Sequence, residues 1–363
     1  MIRTDPDFPA SFAQARERFL AAARARGARI ASHDNPAGPG LDGEALATDV
    51  AVLGAADARH VVLVQSGTHG VEGYCGSGVQ HALLREGTAI DAALAAGARV
   101  VMLHAINPWG FSWQRRVTED NVDLNRNVRP FPVPEGPDVD YEEVHDLLLP
   151  AQWPPTDANE AAIDGFIAQR GAAHFQFAFS HGQWSRADGI FYCGRTPTWS
   201  HRTLREVLRR EVRGAASLHW IDLHTGLGPA GHGELIYAGR DVTADLTRTR
   251  ACWGPSVTSI YDGSSTSAKI GGMVGNAFYD ECPGTALAAV ALEYGTVPLD
   301  EVRDALRFDH WVAAHAPGDA TARANARERM LQAFFVDTDG WKATILAQGR
   351  DAVAKATAAL RAG

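Results

Sequence analysis

His69 and Glu72 stand three residues apart in Ser66-Gly67-Thr68-His69-Gly70-Val71-Glu72-Gly73, directly after the apolar run Val61-Val62-Leu63-Val64. Residues three apart share a face on the first turn of a helix, so an imidazole nitrogen and a carboxylate oxygen placed there can reach one ion at roughly 2.0–2.2 Å. A helix-start glutamate favoured by the macrodipole, beside a turn histidine, gives the same spacing, so the pair gains meaning only with further ligands. His224 is the candidate third, because Ser217 to Leu223 reads as a buried strand that runs out into His224-Thr225-Gly226. A catalytic zinc takes three protein ligands and keeps one position open for water. The site around it needs a base for that water, a cation for the oxyanion and groups that hold the substrate. In Asn121-Val122-Asp123-Leu124-Asn125-Arg126-Asn127, Arg126 can grip a carboxylate through two parallel hydrogen bonds and Asn125 can add a donor. Arg116 lies shortly upstream.

Positioning these residues requires a sheet whose strands end at one rim. His60 to Gln65, Arg99 to His104, Ser217 to Leu223 and Thr285 to Leu292 are short continuous apolar runs of the kind that buried parallel strands show. Each is followed by a turn or by polar residues, and open α/β sheets bind their ligands beyond such carboxyl ends. Leu46 to Leu53 reads as a further strand, and Phe8 to Arg26, Glu72 to Arg85, Asn159 to Ala173 and Thr203 to Val212 carry helical periodicity. From Leu299 to the C-terminus the pattern is helical, interrupted at Pro317-Gly318-Asp319 and Asp337-Thr338-Asp339-Gly340. The proline- and acid-rich stretch 130–155 reads as an insertion, and Gly182 to Gly194 as a polar and aromatic loop able to line a pocket. Strands alternating with helices, without internal repeat, predict one three-layer α/β domain over residues 1–363: a central, mixed but mostly parallel sheet flanked by helices.

Composition narrows the function. With 45% hydrophobic and 21% charged residues among 363, and no apolar run of membrane-spanning length, the chain reads as an ordinary globular protein with no membrane partner. The N-terminus lacks a basic segment followed by an apolar one, which leaves the cytoplasm as the expected location. A net charge of −9 without a basic run argues against nucleic acid, and the four widely spaced cysteines read as buried thiols. Gly226-Leu227-Gly228-Pro229-Ala230-Gly231 matches a dinucleotide-binding spacing but leads into the strand-like Glu234-Leu235-Ile236-Tyr237, whereas the fingerprint must open a helix. Neither a phosphate-binding P-loop, a His-Glu-x-x-His pair nor a nucleophile elbow occurs.

Taken in order, His69-x-x-Glu72, Arg116, Asp123-Leu124-Asn125-Arg126-Asn127, His224 and Glu293 resemble the zinc carboxypeptidase superfamily across roughly residues 60 to 296. Gly182 to Gly194, Pro197-Thr198-Trp199-Ser200 and Glu281-Cys282-Pro283-Gly284-Thr285 add a likeness to bacterial members known only as a domain of unknown function. The resemblance implies a zinc carboxypeptidase-like fold and one zinc per chain held by His69, Glu72 and His224. It implies Arg116 as the arginine facing the scissile carbonyl, with Arg115 a competitor, and Asn125 with Arg126 as the carboxylate-binding pair. Glu293 would be the general base and Asp123 the partner of a ligand histidine. Asp222-Leu223-His224-Thr225-Gly226 is closer to the aspartoacylase and succinylglutamate desuccinylase branch. The tyrosine that digestive carboxypeptidases place over their substrate has two candidates, Tyr261 and Tyr279. The expected activity is therefore hydrolysis of an amide beside a free carboxylate, in a peptide or, alternatively, in an N-acyl amino acid. A binding module without catalysis is the competing class, and the oligomeric state stays open.

Overall fold

In the computed structural model, which describes residues 5–362, the apolar runs assemble into one sheet. Its strands are β1 (Arg29–Asp34), β2 (Ala47–Leu53), β3 (His60–Ser66), β4 (Ala98–His104), β5 (Ser217–Thr225), β6 (Gly233–Tyr237) and β7 (Ala286–Tyr294). They lie in the order β1-β2-β4-β3-β5-β7-β6. The inner four, β4, β3, β5 and β7, are mutually parallel, while β1, β2 and β6 run antiparallel to their neighbours. Both faces of the inner strands are covered, which is why they read as continuous Val, Leu and Ala runs.

Alternation along each strand divides the core. Val62, Val64, Ile221 and Leu223 face the helices Phe12–Ala25, Gly73–Glu86 and Asp339–Ala362. Val61, Leu63, Leu218 and Trp220 face the opposite layer, which includes Trp199–Glu211 and Asn276–Glu281. Trp199–Glu211 earns its place through Leu204, Val207 and Leu208, an i, i+3, i+4 stripe, and starts where the Thr198 hydroxyl accepts from the His201 amide at 3.2 Å. Burial of each such aliphatic side chain contributes about 1.5–3 kcal/mol. A third apolar cluster, at the rim, joins Val71, Tyr141, Leu148, Phe175, Leu306 and Phe334, so the 130–155 stretch packs onto the helices of the C-terminal part.

After β3 the chain crosses through Gly73–Glu86 and Thr88–Ala95 to β4 on one side, whereas β5 lies on the other. The crevice between β3 and β5 is thus the switch point at which open α/β sheets take up ligands. Register fixes what meets there: Ser66 pairs with Leu223, and His224 with Glu293.

Several elements depart from expectation. The edge strand β1 has four polar residues among six and is half exposed, and so carries no apolar alternation to reveal it. Asn159–Ala173 is instead two helices, Asp157–Arg170 and Ala172–Ser180, broken by Gly171 at φ 89°. Helices Thr243–Trp253 and Asn276–Glu281 had no clear sequence signal. Gly226 to Gly231 leads into β6, as its surroundings predicted. Among the described residues, no helix is long and apolar enough to cross a membrane. Cys75, Cys193 and Cys282 are buried thiols, and Cys252 is partly exposed.

Candidate active site

His69 and Glu72 are carried by the turn between β3 and the helix Gly73–Glu86. Two glycines make that turn feasible. A Cβ on Gly70 would lie 2.0 Å from the carbonyl carbon of Gly110, and one on Gly76 would lie 2.7 Å from Ser66 Cβ. The first lets the 66–73 turn press against the 110–117 loop, where the amides of Gly70 and Val71 donate to the carbonyls of Arg116 and Arg115 at 3.1 and 2.9 Å. The second lets the helix start pack on the end of β3. His224 enters from β5, the neighbouring strand.

These three residues, each no more than 3% exposed, converge. Glu72 Oε1 is 2.8 Å from His69 Nδ1, Glu72 Oε2 is 3.1 Å from His224 Nδ1, and the two Nδ1 atoms are 3.3 Å apart. Among the described residues this is the group of His, Cys, Asp and Glu able to hold a metal, with ligand atoms all within 4.8 Å. Tetrahedral donors at zinc bond lengths stand about 3.4 Å from one another. The donor set, two imidazoles and a carboxylate, matches that ion in chemistry and in spacing.

The far ring nitrogens are also held. His224 Nε2 meets Asp222 Oδ2 at 2.7 Å, and Thr68 Oγ1 hydrogen-bonds the same carboxylate at 2.9 and 3.0 Å. His69 Nε2 lies 3.3 Å from Asp123 Oδ1 and 2.7 Å from Arg116 Nη2. Carboxylates behind ligand histidines fix ring orientation and raise ligand basicity. Asp123 was anticipated in that position and Asp222 was not. The missed signal was the two-residue spacing of Asp222 and His224 on a strand, which points both side chains to one face. Arg116 also donates to Asp123 Oδ2 at 2.9 Å and Glu72 Oε1 at 3.1 Å. Arg115 instead turns away to Asp309, at 2.9–3.0 Å, and to Asn121.

Burial alone would raise the carboxyl of Glu72, but the charge of His69 and the hydrogen bond from His224 hold it well below the usual range. Asp123 is likewise lowered against its burial by Arg116, His69 and Arg126. His224, which burial would make less basic, is pushed well up by Asp222 and Glu72. Glu293 moves oppositely. Burial, followed by the negative charge of Glu72, raises its carboxyl to about 8, and its Oε1 accepts one hydrogen bond, from the Leu227 amide at 3.1 Å.

A cavity of about 340 Å³ opens over the cluster and is also lined by Arg116, Asn125, Arg126 and Glu293. Arg126 is 4% exposed, and burial lowers its guanidinium to about 10 against the pull of Asp123. Its Nε donates to Ser180 O at 2.7 Å and its Nη1 to Asn125 O at 3.0 Å, while no described residue accepts from Nη2. Asn125 Oδ1 accepts from the Val274 amide at 2.9 Å, which aims its NH2 group elsewhere. Neither Tyr261 nor Tyr279 lines the cavity. Tyr261 donates to Gly239 O at 3.1 Å and Tyr279 to Asp245 at 2.8 Å, whereas Tyr237 forms part of the wall.

Comparison with known proteins agrees with this architecture. A family model described as "Protein of unknown function (DUF2817)" matches residues 8–348. No curated protein matches the chain. Among solved structures, bovine thrombin-activatable fibrinolysis inhibitor in complex with tick carboxypeptidase inhibitor is similar over 98% of both chains, at 11% identity and a TM-score of 0.53. A metallo-carboxypeptidase from Burkholderia cenocepacia matches at 10% identity, covering 98% of this chain and 70% of its own, with a TM-score of 0.45. Murein-tripeptide amidase from Escherichia coli O157 matches at 16%, covering 80% and 94%, with a TM-score of 0.34. At these identities the first likeness is one of fold: a single carboxypeptidase-like α/β sheet.

Proposed function

We propose that the chain, which belongs to the family described as "Protein of unknown function (DUF2817)", is a zinc-dependent hydrolase that cleaves an amide beside a free carboxylate, acting on short peptides as a carboxypeptidase. One observation carries the reading: His69 and His224, which cluster with Glu72 as metal donors, line one cavity together with Glu293 and the buried Arg126. An amide hydrolase of this kind needs a metal, a proton carrier and a carboxylate anchor, each aimed at a common space.

His69, Glu72 and His224 would hold the ion, one per chain, which supplies a Lewis acid and a more acidic water. Asp123 and Asp222 keep the two rings turned toward it. With His69 Nδ1 given over to the ion, the ring proton sits on Nε2 facing Asp123. Arg116 Nη2 then loses its acceptor and is left to meet the developing oxyanion of the substrate. Arg126 Nη2 and the Asn125 amide grip the terminal carboxylate, orienting the scissile bond. Glu293 takes a proton from the attacking water and delivers it to the leaving nitrogen. A carboxyl raised toward neutrality by a dry wall is suited to both halves of that transfer.

N-acyl amino acids present the same amide and carboxylate, and the Asp222-to-Gly226 segment, with Asp222 against His224, keeps them as the second reading. Metal analysis of purified protein, followed by mass-spectrometric assay of peptides, N-acyl amino acids and their amidated counterparts, separates the cases. Cleavage of free acids by the zinc-loaded protein supports the proposal. A zinc-loaded protein inert on the whole panel points to a binding module.

A further inference from the structure

Three arginines line the cavity, and the third has no role in the chemistry above. Arg303 sits on the helix Leu299–His315. Its Nε is buried without a hydrogen-bond partner. The carboxylate within ion-pair range, that of the adjacent Asp304, lies 3.6 Å away, and its Oδ1 is already engaged by Arg307 Nη1 at 3.3 Å. A desolvated guanidinium N–H that lacks an acceptor is costly, and a ligand that supplies one removes the cost.

The cavity wall that Arg126 and Arg303 share is mainly apolar. The guanidiniums of Arg116 and Arg126 lie 4.9 and 4.8 Å from the centroid of the Phe191 ring. Phe191 meets Phe179 edge-on at 5.1 Å, and Phe179 stacks on Phe175 at 6.2 Å. Phe175 belongs to the same apolar cluster as Val302, the residue before Arg303. This wall is mainly aromatic, with Gln176 and Ser180 its neighbouring polar residues, and arginines line the same cavity on either side of it. Charge favours anions too: in a chain of net −9, the lining sets three arginines against the carboxylates of Asp222 and Glu293, and Asp222 is taken by His224.

We propose that Arg303 is a specificity-determining residue that receives a second carboxylate, so that the preferred substrates are amides whose two acids flank an apolar body. The acid at Arg126 belongs to the amino-acid half, and the acid at Arg303 ends the acyl half. This assignment rests on the reading of Arg126 as carboxylate anchor.

Calorimetric binding to zinc-loaded Glu293→Gln protein tests it without turnover. The probes are N-glutaryl-, N-adipoyl- and N-pimeloyl-phenylalanine, each paired with its pentanoyl, hexanoyl or heptanoyl counterpart, which replaces the distal carboxylate by methyl. The best diacid should bind about tenfold or more tightly than its partner, as expected for one charge-assisted contact. Adding Arg303→Gln should erase most of that advantage, and Arg303→Lys should restore part of it. An advantage that is absent, or that survives Arg303→Gln, overturns the proposal. The two readings fail distinguishably. If wild-type protein hydrolyses neither series while the Arg303-dependent preference persists, the hydrolase assignment falls and this one stands. If it hydrolyses both equally and binding shows no preference, the reverse holds. Failure of both series to bind overturns both.

Discussion

Asp222 makes no contact with substrate in the proposed scheme, yet its replacement should weaken the metal site measurably. Its carboxylate is 3% exposed, accepts from Thr68 Oγ1 at 2.9 and 3.0 Å, and sits 2.7 Å from His224 Nε2. Asp222→Asn keeps the shape and the contact with Thr68 but removes the charge behind the ring. Losing a charge-assisted hydrogen bond of about 1.5–3 kcal/mol corresponds to a loss of about 10- to 150-fold in zinc affinity, in line with about 10–100-fold for groups behind a metal ligand. An opposing effect must be included. Asp222 also raises the basicity of His224, so protons compete harder for that ring in the wild type. The variant suffers less of this competition at low pH. The ratio of variant to wild-type Kd should therefore widen as pH rises, reaching its full value once His224 is deprotonated in both. Competition against a chromogenic chelator at several pH values, with circular dichroism to check folding, measures this. A well-folded variant whose Kd stays within twofold of wild type, or a ratio that narrows with pH, would refute the reasoning.

Glu293→Gln should leave the zinc content unchanged and lower kcat by about 10²–10⁴-fold, the usual range for general acid–base catalysis, as read from paired metal analysis and steady-state kinetics. Zinc lost along with activity would make Glu293 a ligand instead. Arg126→Ala should raise KM for free-acid substrates, because a charge-assisted contact disappears. If wild-type protein cleaves an amidated analogue as well as the acid, the anchor assignment fails. His224→Ala should lose most bound metal, and near-stoichiometric zinc in that variant would remove it from the ligand set. Metal-free protein supplies a pH test. Because Glu293 is raised to about 8, against about 4.3 in an unfolded chain, the folded state holds the extra proton in between. Its contribution to stability is full below pH 4.3 or so and is lost as pH rises through about 8. Melting temperatures of metal-free Glu293→Gln should thus gain on wild type across that window, and a constant difference would count against the raised carboxyl.

Much of this protein is local enough to be read from its sequence. β3, β4, β5 and β7 are buried on both faces, so each had to be a continuous apolar run, and a strand that ends abruptly in His224-Thr225-Gly226 announces its rim. The pairing of His69 with Glu72 also needed nothing beyond a turn and a spacing of three. What sequence could not supply were relations between segments far apart in the chain. Nothing in Glu293 or His224 states that β7 will lie beside β5 with those residues in register, and that single choice puts a candidate base next to a candidate ligand. Arg115 and Arg116 were equivalent until Asp309, nearly two hundred residues later, claimed one of them and left the other to Glu72 and Asp123. Tyr261 and Tyr279 were equally eligible until hydrogen bonds to Gly239 and Asp245 held both outside the cavity. The mostly polar β1 had no burial pattern to betray it, because an edge strand exposed to water is under no pressure to alternate. Periodicity reports which surface a segment buries, and only packing determines which distant partner buries it. The chemistry proposed for this protein was therefore legible as a set of residue types, whereas its geometry became definite only when seven strands chose their order.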